Sequence, residues 1–410
     1  MYYIYIFKPT IRWSLDVSHA PAPTALFALG FRPFFLLAAL GTAVQMAVWL
    51  GGYLAGWPLP SYYGPIVWHG HEMLFGYTAA VVAGFLLTAV RNWTGRDTPN
   101  GAALAALAAL WLTARLLPFV TAAPAWLIAG VDLAFLPALG VALLPPLLAT
   151  GQRRNLVFPV LLALLTLANL LVHLDRLQLP DAPLGSLAAL QLTVGIIIVL
   201  IAIVGGRVVP FFIERGANVQ LRPRPWLERL AVASVAIWFA ASVLASVHAV
   251  AAPLLAATAW LAAALNGLRL VAWHHRRLWS VPLLWVLYIG YGWLVAGLAL
   301  NGAAVSGWMA TPPAIHAFTA GAIGVMTLGM MARVALGHTG RPMQAARMTT
   351  ASFVLINIAA VVRVALPAAA PTLYIDGIFI AGALWIAAFI LFSFVYAPVL
   401  IRPRADGRPG

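Results

Sequence analysis

Trp68-His69-Gly70-His71-Glu72-Met73 places two imidazoles and a carboxylate within four residues, at the head of an apolar run from Ile66 to Val90. Imidazole and carboxylate together can ligate a metal or relay a proton. The run is long enough to cross a bilayer, and ionisable groups at or within such a run mark functional sites by default. A helix advances about 100° per residue, so His69 and His71 are expected to lie about 200° apart and face different neighbours. From a regular helix they would not ligate one metal together. His69 would instead share a stripe with Glu72, Met73, Gly76, Ala80 and Ala83, a face small enough for a flat cofactor or another helix to approach. The plain alternative is a pair of interfacial histidines capping a helix.

Composition sets the frame for this stretch. Of 410 residues, 63% are hydrophobic and only 8% charged, against about 25% charged in soluble domains. The chain therefore reads as an all-α integral membrane protein. Cysteine is absent, which excludes thiolate metal sites, iron–sulfur clusters and disulfides. Any metal must be held by His, carboxylate, Met or Tyr. The formal charge of +14 is almost wholly arginine, Lys8 being the only lysine. In a membrane protein that excess reports orientation, and no nucleic-acid partner is expected. Residues 1–23 lack the pattern of a cleavable signal, and 1–24 read as a short cytoplasmic tail containing His19, before a membrane domain over 25–403 and a second tail over 404–410.

Apolar stretches punctuated by Gly, Pro and Arg predict about twelve spans, near 33–55, 66–90, 101–121, 126–149, 156–174, 186–206, 228–248, 251–270, 281–301, 313–335, 349–367 and 373–400. The longest loop is expected over about 207–227. Alternating loops divide the basic residues 21 to 3, with only Arg115, Arg176 and Arg363 on the poorer side. By the positive-inside rule both termini are cytoplasmic. Five of the nine histidines, His69, His71, His173, His248 and His316, then fall at outer helix ends, together with Asp132 early in the fourth span. That gathering on the arginine-poor side predicts a shared outer-leaflet site. His173 and Asp132 are its supporting or proton-path candidates.

The tenth span repeats the arrangement of the second. From His316, a regular helix places Thr319, Ala320, Gly324 and Thr327 on one side, with Gly321 and Gly329 nearby. Small faces of this kind are also what ordinary membrane-helix packing uses. Two of them, each headed by a histidine, fit axial ligation of a haem from separate helices, and imidazole suits copper equally well. The spacing specifies neither metal. On the arginine-rich side, Arg91–Gly95, Gly205–Phe212 and Leu336–Arg341 look like helix ends followed by turns, with a second polar site as the functional alternative. His274 and His275 beside Arg276 and Arg277 read as a solvated loop.

Several motifs together resemble the NnrS family: GFRPFF (Gly30–Phe35), WHGHEMLFG (Trp68–Gly76), GFLLTAVRNWTG (Gly84–Gly95), RRNLVF (Arg153–Phe158), GGRVVPFF (Gly205–Phe212), GYGWL (Gly290–Leu294) and the stretch from His316 to Arg341. They run in the same order from about Ala25 to Pro403. The resemblance implies a twelve-span protein of the bacterial inner membrane that contains haem and copper and is associated with the nitric oxide response, nitrosative stress and denitrification. Carried over by motif, His69, His71, Glu72 and His316 are the metal-site residues it implies. Asn92, Arg207, Arg333, His338 and Arg341 match its inner-face motifs. Two positions depart from the family pattern. Tyr288 stands where a histidine is expected, and tyrosine is a poorer copper ligand; Ile213 replaces a threonine after the PFF triplet.

The leading expectation is thus a haem b protein, with copper as a second candidate metal, that binds or detoxifies nitric oxide or its products. His316 and one of His69 or His71 would hold the iron. Glu72 would orient a ligating imidazole or relay protons. An electron donor is required for turnover, and the sequence names none. The rival readings are a twelve-helix transporter or channel without haem, and a metal-dependent sensor or assembly factor without turnover.

Overall fold

Apolar stretches of 19 to 32 residues, several beginning with proline or ending at glycine or asparagine, form twelve helices long and apolar enough to cross a membrane. They are α1 (Phe31–Ala55), α2 (Pro65–Thr94), α3 (Gly101–Phe119), α4 (Ala125–Ala149), α5 (Arg153–Arg176), α6 (Ser186–Ala217), α7 (Pro225–Val247), α8 (Ala249–Trp273), α9 (Pro282–Val305), α10 (Thr311–His338), α11 (Arg347–Pro367) and α12 (Pro371–Ile401). The computed structural model describes residues 24–60, 62–179, 183–222 and 224–408, and the tail over 1–23, with His19, lies outside them. The structure is 82% helical, and no strand occurs among the described residues. The chain is an all-α, multi-pass membrane protein.

Helices adjacent in sequence pack against each other around the molecule, and α12 returns to pack on both α11 and α1. Burial separates an inner set from an outer one. The apolar windows of α2 and α10 are 83% and 78% buried, and that of α6 is 67% buried, whereas those of α7 and α8 are only 28% and 33% buried. The peripheral helices turn Leu, Val and Ile outward, as a lipid-facing surface requires. The two histidine-headed helices are therefore the most enclosed in the protein.

One boundary differs from the sequence expectation. The Gly205–Phe212 motif is not a loop but the continuation of α6, which runs on to Ala217 and ends at Asn218 in a left-handed conformation. Arg207 does not break the helix, because its guanidinium donates to Asn155 Oδ1 at 2.8 Å and sits over the Phe158 ring. A long side chain can thus carry its charge sideways to a partner. The His248–Pro253 segment, which separates α7 from the body of α8, is a tight turn containing a short 3-10 helix.

Candidate functional site

Two polar features lie beside the first turns of α2, and they divide the WHGHEM residues between them. The division follows from helix geometry. Residues Glu72–Thr78 in α2 and Ala317–Ile323 in α10 are π-helical, each segment beginning immediately after a histidine. A π segment is wound more loosely than an α-helix and shifts the face of every later residue. Thr78 contributes to the first of these, its hydroxyl donating to the Met73 carbonyl five residues earlier at 2.8 Å.

The first feature is a cavity of about 420 Å³ bounded by α1, α2, α6, α10, α11 and α12. That volume falls within the range of about 300–1,000 Å³ typical of small-molecule sites. His69 and His316 both line it. His69 stacks on Trp49, with ring centroids 4.6 Å apart and planes 16° apart. His316 Nδ1 lies 2.8 Å from the Pro312 carbonyl, which only an N–H can satisfy. That bond fixes the tautomer and leaves the lone pair on Nε2. Tyr77, from α2, also lines the cavity and meets Thr327 of α10 through a 2.5 Å hydroxyl–hydroxyl bond, joining the two helices. The remaining wall is largely apolar, with Met46, Met73, Leu190 and Ile323.

The second feature is a buried cluster around Asp132. His71 Nε2 lies 3.1 Å and His173 Nε2 3.0 Å from the same oxygen, Asp132 Oδ2. The ligand atoms of these three residues all lie within 4.8 Å of one another, and all three side chains are buried. Each is held from behind. His71 Nδ1 lies 3.3 Å from Glu72 Oε1, His173 Nδ1 lies 2.8 Å from the Tyr62 hydroxyl, and Arg115 pairs with Asp132 Oδ1. Arg115 also donates to Glu72 Oε1 at 2.9 Å, and Gln45 donates to Glu72 Oε2 at 2.7 Å. Asn169 donates to Asp132 Oδ2 at 2.7 Å and presents its oxygen 3.0 Å from His71 Nε2.

This donor set fits a cation. Two carboxylates face one arginine, and His71 Nε2 is surrounded by the oxygens of Asp132, Asn169 and Tyr63. A proton or a metal ion at the centre resolves that crowding of acceptors. Two imidazoles and a carboxylate suit zinc, copper and iron alike, and the backing bonds are those that orient metal ligands. Tyr62 and Tyr63 lie in the loop before α2, where burial raises the pKa of both hydroxyls. At Tyr62 the nearby Arg176 opposes part of that shift. Both therefore remain protonated across the physiological range.

The stripe expected from a regular helix is accordingly corrected. Met73 stays with His69 at the cavity, but Glu72 turns to the Asp132 cluster. Gly76 goes with it, because a Cβ there would fall within 3.0 Å of Gln45 Nε2 and Glu72 Oε2. On α10, Thr319 and Ala320 line the cavity with His316. Gly321 and Gly324 instead receive the rings of Trp293 and Trp385, so these glycines serve packing. Asp132 stands among the cluster's central atoms and not behind them. Sequence reasoning did not single out Tyr62, Tyr63, Asn169 or Trp49; nothing in their spacing marks them. The arginine-poor side did carry a signal, since Arg115 and Arg363 both reach these features.

Other candidates lie elsewhere. Tyr288 donates to the Leu270 carbonyl at 3.2 Å and packs against His274 and Trp279, away from both features. It is therefore outside the residues that line the cavity and outside the Asp132 cluster. Asn92 approaches His338 at 3.4 Å, and Arg333 lies 3.9 Å over the Phe212 ring. Arg341 donates to the Thr339 carbonyl. The Asn92–His338, Arg333–Phe212 and Arg207–Asn155 contacts join different helices on the arginine-rich side. Gly95 closes α2 by returning its N–H to the Arg91 carbonyl. His248 is exposed, and His275 caps the turn before α9.

No curated protein matches the chain. The NnrS protein family model matches residues 25–404, which takes in all twelve helices and both polar features, and the chain belongs to that family.

Proposed function

We propose that this protein is a haem-binding component of the nitric oxide response in the bacterial inner membrane, with haem b held in the cavity between His69 and His316. Family membership supports the nitric oxide role. The observation that carries the haem assignment is the pair of imidazoles from separate helices lining one apolar cavity, with His316 Nε2 left as a free lone pair. Such a pair is a common way to hold haem iron, and the apolar wall would disfavour water at the metal. When bound, the haem would supply a redox-active iron, open to nitric oxide or a related small ligand only where one of the two imidazoles gives way.

The protein's own groups supply position and proton control. Trp49 fixes the plane of His69, and Pro312 fixes the tautomer of His316. His71, His173 and Asp132 form a second centre, which would hold a metal such as copper. Glu72 orients His71 and shares Arg115 with Asp132, so the cluster holds two carboxylates against one guanidinium, an excess that a bound metal ion would balance.

Metal analysis and optical spectroscopy of the detergent-purified protein test this reading. A reduced-minus-oxidised haem b spectrum is expected, lost in His69→Ala and His316→Ala but retained in His71→Ala. A folded, colourless wild-type protein would overturn the haem assignment and favour a twelve-helix transporter.

A further inference from the structure

The three arginines on the histidine-bearing side have different partners. Arg115 is bonded to Glu72 and Asp132, and Arg176 donates to the Tyr62 carbonyl at 2.9 Å. Arg363, near the end of α11, instead lines the cavity. Among the described residues Arg363 forms no ion pair; Tyr374 hydrogen-bonds its guanidinium, but its buried Nη1 has no hydrogen-bond partner. Its guanidinium carbon sits 5.9 Å from the centre of the Tyr374 ring, and Tyr53 lines the same part of the wall. A guanidinium facing an apolar cavity with an unpaired N–H is costly unless an anion completes it. Guanidinium binds carboxylate through paired, charge-assisted bonds.

We propose that Arg363 receives an acid group of the cavity's ligand, so that the site selects a flat apolar body carrying a carboxylate at one edge. This rests on the haem reading above, in which the two propionate side chains supply that edge. It adds an orientation. The macrocycle would enter with its carboxylates toward Arg363, Tyr53 and Tyr374 at the ends of α1, α11 and α12, and its apolar, vinyl- and methyl-bearing edge toward Tyr77. Arg363 is a positioning residue in this arrangement and not an iron ligand.

The test uses the full-length protein produced without haem and titrated with haemin and with haemin dimethyl ester, whose acid groups are blocked. Soret absorbance reads binding of either probe. The wild type is expected to bind the diacid at least about tenfold more tightly than the diester, the scale of a charge-assisted bond. Arg363→Leu should reduce that preference to within about twofold, and Arg363→Lys should keep part of it. Equal affinity for the two probes in the wild type overturns the proposal while leaving the haem reading intact, whether or not Arg363→Leu folds. A preference that survives unchanged in folded Arg363→Leu also overturns it. Failure of the wild type to bind either probe removes the haem reading and this inference together. Competition of the diacid by vesicles of anionic phospholipid, but not by neutral ones, would assign Arg363 to a lipid phosphate and overturn the carboxylate reading.

Discussion

His71 of α2 and His173 of α5 direct their Nε2 atoms at one oxygen of Asp132, 3.1 and 3.0 Å away. The other nitrogen of His173 depends on Tyr62. Removing that hydroxyl in Tyr62→Phe should weaken metal binding by about 10–100-fold, the usual cost of losing a bond that orients a ligand. His173→Ala should abolish it. Metal content after dialysis, together with an unchanged haem spectrum, checks both outcomes. An equal loss of haem would show that the two features are not separate.

Arg115 is the cation between Glu72 and Asp132, and its side chain is 6% exposed. Arg115→Ala leaves two carboxylates buried without their counter-charge. Breaking a buried pair from one side typically costs about 3–5 kcal/mol. A large fall in thermal stability in detergent is expected, with partial recovery when Glu72→Gln is added. No change in stability would remove Arg115 from its structural role.

Tyr77 and Thr327 join α2 to α10 through a single hydroxyl pair. Tyr77→Phe should cost about 1 kcal/mol, the typical net value of one buried hydrogen bond. The haem band should persist, because neither hydroxyl is assigned to the iron. Its loss would place Tyr77 among the ligand-holding groups.

The turn after α10 is clamped by the C-terminal segment. Arg404 donates to the His338 carbonyl at 2.8 Å and to both oxygens of Asp406, while Ala405 N–H donates to the Thr339 carbonyl. Gly340 has φ +67°, and a Cβ there would lie 2.5 Å from Asp406. Gly340→Ala should therefore destabilise by about 1–2 kcal/mol from the left-handed backbone alone. The Arg404 guanidinium holds the Asp406 carboxyl down at about 2. A depressed acid stabilises the fold above its unfolded pKa of about 3.8 and loses that contribution as pH falls toward about 2. Thermal melts of wild type and Asp406→Asn should thus converge as pH is lowered below about 4. A difference independent of pH would assign the effect to geometry instead of charge.

The spans were legible because length and apolar composition alone decide them, and the side that carries the sites was legible because arginine avoids it. The separation of His69 from His71 also follows from helix geometry. The partners of Glu72 and Gly76 were not legible, because a regular 3.6-residue period does not hold across Glu72–Thr78. Asp132, Asn169 and His173 come from two other helices, so no local spacing announces that they meet His71. Tyr62 and Tyr63 belong to a short loop whose residues carry no periodic signal at all. Arg363 was visible as an exception to the charge bias, yet only the cavity shows what that exception faces.

The paired π segments also bear on insertions and deletions. A stretch wound this loosely holds more residues per turn than an α-helix, so Glu72–Thr78 is where α2 can lose one residue and tighten to α geometry without breaking. About six residues of α-helix turn through nearly the same angle as seven of π-helix, so Ala79 to Thr94 would keep close to their present faces, and the same holds beyond Ile323 in α10. A deletion elsewhere in either helix has no such slack and would turn every later residue by about 100°. These two short windows are therefore where the chain can change length without moving the neighbours of the ligand.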